Sequence, residues 1–157
     1  MTQDDRFLAR AIELAATGSR RGDGGPFGAV IVRNGQIIAE GWNRVVASHD
    51  PTAHAEIAAI RDACQRLGQF HLPGTVLYAS SEPCPMCLSA AYWARVERVV
   101  FANSRAEAAA IGFCDDRLYD ELNRHFSARS MVMEHLPLPG ALDPLREWAA
   151  REDKIAY

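Results

Sequence analysis

A chain of 157 residues is long enough for one domain that buries a continuous core without staples. With 48% hydrophobic and 24% charged residues it sits in the globular range, which excludes a disordered or collagen-like chain. The net charge of −3, with basic residues spread along the chain and Lys154 the lone lysine, argues against a broad nucleic-acid-binding face and for a small-molecule substrate.

The chain starts acidic and polar, with neither the basic nor the apolar region of a secretory signal, so a cytoplasmic location is expected. From Asp4 to Ala16, Phe7, Leu8, Ala11, Ile12, Leu14 and Ala15 recur at helical spacing, and Gly18 is a natural stop. A glycine-rich loop over 22–26 follows, then two strands over 27–32 and 37–42 joined around Asn34-Gly35 as a hairpin. That loop precedes a strand and lacks both the Walker spacing and the dinucleotide fingerprint, so it is expected to close near a site rather than to cradle phosphate. Ile57, Ile60, Cys64 and Leu67 mark the buried face of a helix over 53–67 that Gly68 ends. A buried strand over 75–79, a turn running into a helix over 83–95, and a β-branched strand over 98–102 come next. The rest reads as a helix over 105–110, an unassigned stretch over 113–124, a short strand over 131–135 and a last helix over 143–152. A hairpin followed by alternating helix and strand predicts an α/β fold, a three-layer α-β-α sandwich around a central mixed sheet, in one domain spanning 1–157. The longest apolar runs fall short of the ~20 residues of a membrane-spanning helix, so no span is expected.

Chemistry concentrates in two segments, Pro51-Thr52-Ala53-His54-Ala55-Glu56 and Pro83-Cys84-Pro85-Met86-Cys87. Zinc prefers nitrogen and sulfur ligands in tetrahedral geometry, and a catalytic zinc uses three protein ligands, leaving the fourth position for water. His54, Cys84 and Cys87 supply that number. Pro85 suits the first position of a helix, which puts Cys84 and Cys87 on one face at its positive end, where thiolates are favoured. Glu56, two residues beyond His54, points away from the metal bond yet stays near the water, as a proton shuttle does. A lone C-x-x-C also serves redox and structural-zinc sites. The ordered pair H-x-E and P-C-x-x-C is the signature of zinc deaminases, in which water attacks the ring carbon bearing the exocyclic amine. His49, His71, His125, His135 and Cys64 have no such partners and read as ordinary residues.

At these motifs the sequence resembles the cytidine-deaminase-fold superfamily, and within it the bacterial guanine deaminases. Further matching features are Gly-Gly-Pro-Phe-Gly at 24–28, Glu40-Gly41 with Asn43, Tyr92-Trp93-Ala94-Arg95, Gly112-Phe113 with Asp115, and the terminal Tyr157. The resemblance implies conversion of guanine to xanthine and ammonia with one Zn2+ per subunit, water attacking C2 of the purine. It assigns proton relay to Glu56 and protonation of the departing amine to Asp115, with Asp116 the alternative. It implies substrate contacts at Asn43, Phe27, Ala55, Trp93 and Tyr157. It also implies a homodimer in which the C-terminal segment, about 140–157, is exchanged so that Tyr157 closes the partner's site. The sister branch of tRNA adenosine deaminases shares the zinc motifs but is usually more basic. Other aminated rings (a triazine such as ammeline, a guanine nucleoside, cytosine) and a non-catalytic zinc module are the competing expectations. Two positions depart from the family pattern: Cys114 stands where an acid usually precedes Asp115, and Ser81 where a cysteine is common.

Overall fold

The computed structural model describes residues 2–157, which divide into two compact units, one running through Tyr119 and the other Asp120–Tyr157. The first opens with helix α1 (Gln3–Arg20), started by a reciprocal capping box between Thr2 and Asp5. It passes through Gly18 and is longer than the apolar pattern predicts. Strands β1 (Gly28–Arg33) and β2 (Gln36–Trp42) form the expected hairpin. Asn34 and Gly35 both have positive φ, 52° and 73°, as a two-residue turn of the right hand requires.

A four-residue helix α2 (Val45–Ser48) follows, then α3 (Ala55–Leu67), closed by Gly68 in the left-handed conformation. Strand β3 (Thr75–Ser81), helix α4 (Pro85–Trp93), strand β4 (Arg98–Asn103) and helix α5 (Arg105–Ala110) complete the alternation. The unassigned stretch contains helix α6 (Asp115–Asn123).

The sheet has the order β2-β1-β3-β4, antiparallel except for the β3/β4 pair. β1 lies in its interior, and both its faces are covered, so it reads as an unbroken apolar run. Val30 and Val32 join Phe7, Leu14 and Tyr78 beneath α1. Ala29 and Ile31 join Ala59, Ile60, Leu77 and Ala91 on the side of α3 and α4. This is the expected α-β-α sandwich. Small residues let the layers approach closely: a Cβ at Gly28 would collide with the Ala11 carbonyl of α1, and one at Gly41 with the Ala55 carbonyl of α3.

Because β1 runs against β2 and β3, one end of the sheet gathers the residues before β1 and those after β2, β3 and β4. Gly28 sits opposite Trp42, and Ser81 opposite Asn103. Phe27, Asn43, Glu82 and Arg105 are therefore brought to the same end, where α/β folds commonly place ligands.

The second unit holds a 3-10 turn at Phe126–Ala128 and helix α7 (Asp143–Ala150). The strand expected over 131–135 is not formed: Met131, Val132 and Met133 are exposed in irregular chain. Their side chains suit a strand, but a strand needs a hydrogen-bonded neighbour, and the four-stranded sheet ends in the first unit. No helix among the described residues is long and apolar enough to cross a membrane.

Candidate active site

His54 is the N-cap of α3 and Cys84 the N-cap of α4, both in extended backbone, so their side chains turn back over the helix starts. Pro85 occupies the first turn of α4, where its missing N–H costs nothing, and Cys87 follows one turn on. Nδ1 of His54 lies 3.5 Å from the sulfur of Cys84 and 3.5 Å from that of Cys87. Tetrahedral zinc with bonds of ~2.3 Å to sulfur and ~2.0–2.1 Å to nitrogen separates such atoms by roughly 3.5 Å. The donor set therefore fits zinc in chemistry and in spacing, with Nδ1 as the ligating nitrogen. These three residues form a cluster able to hold a metal ion, both cysteines being buried.

Their charges are already arranged for a cation. Hydrogen bonding from the Cys87 thiol, with His54 adding to it, holds Cys84 as a thiolate with its pKa near 4 despite burial. That thiolate pushes the neighbouring Cys87 thiol up and raises His54. One negative sulfur, one thiol and an imidazole facing one another form a site that a divalent cation completes by displacing protons.

Glu56, in the first turn of α3, is buried, and desolvation raises its pKa to about 7, near where a proton carrier is most effective. With His54 and Cys84 it lines a cavity of about 310 Å³ at the end of the sheet. Asn43, 5% exposed, lines the same cavity. Its Oδ1 accepts the backbone N–H groups of Gly25 (3.3 Å) and Val45 (3.2 Å). The carbonyl is thereby used up and the Nδ2 donors are left for a ligand, so this amide offers donors rather than both functions. A Cβ at Gly24 would overlap Oδ1 of Asn43, which explains the glycine there. The loop over 22–26 is thus part of the cavity wall.

Phe27 also lines the cavity and meets Phe113 edge-to-face, centroids 4.7 Å apart. Asp115, at the start of α6, lines it too, and burial raises its pKa. Asp116 does not line it and instead lies 3.6 Å from the Arg105 guanidinium. Cys114 is exposed.

Trp93 and Tyr157 are both exposed. Trp93 is two-thirds exposed at the far end of α4 and outside the cavity lining, because about nine residues of helix at ~1.5 Å each carry it away from Cys84. Tyr157 belongs to the second unit and is exposed. Ala55 is fully buried in the core under the sheet. Conversely, Phe113, Glu82, Val45 and Val46 line the cavity without having been assigned a role. Phe113 was visible beside Asp115 in the sequence, whereas the α2 valines carried no signal, since four residues show no periodicity. A larger open groove of about 570 Å³ follows the outer edge of β2, but its Glu40 is paired with Arg10 and its Asp62 with Arg66.

Comparison with known proteins agrees with this geometry. The chain is 47% identical to the guanine deaminase of Bacillus subtilis over 153 residues, covering 98% of each chain. The crystal structure of guanine deaminase from that organism superposes with a TM-score of 0.95, again over 98% of both chains. The tRNA-specific adenosine deaminase of the same organism is 39% identical over 125 residues, 80% of this chain and 77% of that one. The sequence profile of the cytidine and deoxycytidylate deaminase zinc-binding region matches residues 1–103, which include all three proposed ligands and Glu56. The chain therefore belongs to the cytidine and deoxycytidylate deaminase family of zinc-binding proteins.

Proposed function

We propose that this protein hydrolyses guanine to xanthine and ammonia, using one zinc ion per subunit held by His54 Nδ1 and the sulfurs of Cys84 and Cys87. The observation that carries this is the opening of His54, Cys84, Glu56, Asn43 and Asp115 on one cavity, in a chain alike to a guanine deaminase from end to end. When bound, zinc supplies Lewis-acid activation of water at neutral pH. Glu56 takes a proton from the attacking water and delivers it to the ring nitrogen beside C2. Asp115 passes the second proton of that water, given up by the new hydroxyl on C2, to the exocyclic amine, so that the C2–N bond breaks, ammonia leaves and the ring keeps a carbonyl oxygen. Two carboxyls serve because one must accept while the other donates in a single turnover. Asn43 donates from Nδ2 to an acceptor on the purine, and Phe27 with Phe113 walls the flat ring. Ammonia release from guanine, guanosine, cytosine, adenine, an aminotriazine and a tRNA anticodon stem tests this. Marked preference for guanine is expected; activity confined to the tRNA stem or to another ring overturns the substrate assignment.

The working enzyme is a homodimer in the cytoplasm whose segment 140–157 is exchanged, Tyr157 closing the partner's site. Two features support this: Leu142, Leu145, Trp148 and Ile155 are all exposed on the second unit, which as it stands leaves them without cover, and all four cysteines are free thiols. Deleting 140–157 is expected to yield a monomer by light scattering, with KM for guanine raised at least about tenfold, since lost closure removes roughly 1.4 kcal/mol or more of binding. A truncated protein that remains dimeric with unchanged KM and kcat removes the exchange.

A further inference from the structure

One set of polar contacts behind the cavity is not used by the chemistry above. Glu82, two residues before Cys84, accepts three hydrogen bonds from Arg105: from Nε at 3.0 Å, from Nη2 at 2.7 Å and from the backbone N–H at 3.0 Å. The guanidinium carbon of Arg105 also lies 4.0 Å from the centroid of the Tyr119 ring. Tyr119 in turn donates its hydroxyl to the carbonyl oxygen of Pro83 at 2.8 Å. Asp116, next to Asp115, faces Nε of Arg105 at 3.6 Å.

Arg105 thus contacts two elements at once. Through Glu82 it grips the turn that leads into the metal ligands, and through Tyr119 and Asp116 it grips α6. None of the residues of α6 is buried, so side-chain contacts such as these, rather than core packing, hold its first turns. Yet α6 carries Asp115 into the cavity. The contacts require arginine in particular, because a planar fork can bind a carboxylate through two nitrogens while its face covers an aromatic ring; lysine can do neither in that way.

We infer that Arg105, seated on Tyr119 and clasping Glu82, is a positioning residue that sets the distance of Asp115 from the metal ligands and so governs protonation of the leaving amine. This rests on the role given to Asp115 above. Released from the clasp, α6 can shift while the ligands stay in place, and a misplacement of ~1 Å in a reacting group can cost about 10²-fold.

A double-mutant cycle in the full-length, zinc-loaded protein tests it. R105A is expected to lower kcat for guanine about 10²-fold with KM changed less than about threefold and zinc content unaltered. R105K is expected to recover little of that loss, whereas Tyr119→Phe, which keeps the ring and loses only the bond to Pro83, falls between it and the parent. In an Asp115→Asn background, itself slow, R105A is expected to change kcat less than about twofold, because its effect passes through the carboxyl already removed. If R105A costs the same factor in both backgrounds, or strips zinc, Arg105 serves the metal turn or the fold and the inference is overturned. Asp115→Asn alone at parental kcat would instead refute the role of Asp115, which keeps the two failures distinct.

Discussion

Glu56→Gln is expected to lower kcat for guanine by about 10³-fold or more, at the upper part of the 10²–10⁴ range for a positioned acid–base group. The amide keeps the shape and hydrogen-bonding reach of the side chain but cannot carry a proton. Glu56 lies outside the His/Cys/Cys cluster, so zinc content should be unchanged, and KM should move little. A second measurement separates lost chemistry from lost structure. Burial raises the Glu56 pKa from 4.5 to about 7 in the metal-free chain. The folded state therefore holds this proton more tightly than the unfolded one. Its contribution is fully present below pH 4.5 and fades as pH rises through 7. Metal-free Glu56→Gln, already neutral, should lack that decline and be more stable than the parent at pH 7.5 by on the order of 1–3 kcal/mol in urea unfolding. A variant that turns over guanine within tenfold of the parent removes Glu56 from the reaction.

Most of the fold was legible because its elements follow local rules. The Asn34-Gly35 turn, the β1 apolar run and the Gly68 stop each point to one structure, and each is found. The His54/Cys84/Cys87 cluster was legible for a similar reason: a proline at the first helical turn places Cys84 and Cys87, and their side chains then have few directions to take. What could not be read depends on partners distant in sequence. The carbonyl of Asn43 is engaged by the backbone N–H groups of Gly25 and Val45, the first of them 18 positions away in the chain. Asp115 and Asp116 are adjacent and chemically alike, and only the winding of α6 sends the first to the cavity and the second to Arg105. The sequence over 131–135 has strand-like composition, but composition does not supply a neighbouring strand. Trp93 was expected at the pocket from the family resemblance, not from any local rule, and it ends α4 in an exposed position.

Cys87→Ala is expected to abolish stoichiometric zinc binding and, with it, detectable turnover. Cys87 is fully buried beside Ile57 and Cys84, with Met86 and Ala90 packed against them. Replacing its sulfur by hydrogen leaves a small cavity costing on the order of 1 kcal/mol, well within what a domain of this size tolerates. The fold should survive, so lost activity reports on the metal rather than on collapse. Two ligands cannot hold zinc as three do, and the Cys84 thiolate then keeps only His54 opposite it. Thermal melting supplies the control. In the parent, a metal present at a thousand times its dissociation constant adds about 4 kcal/mol to the folded state, so a chelator should lower Tm by several degrees. In Cys87→Ala the chelator should do nothing, and the two apo proteins should melt close together. A variant that still holds one zinc per chain and responds to chelator would mean that the third ligand comes from elsewhere, and that the 3.5 Å spacing of Cys87 from His54 Nδ1 belongs to packing rather than to a metal centre.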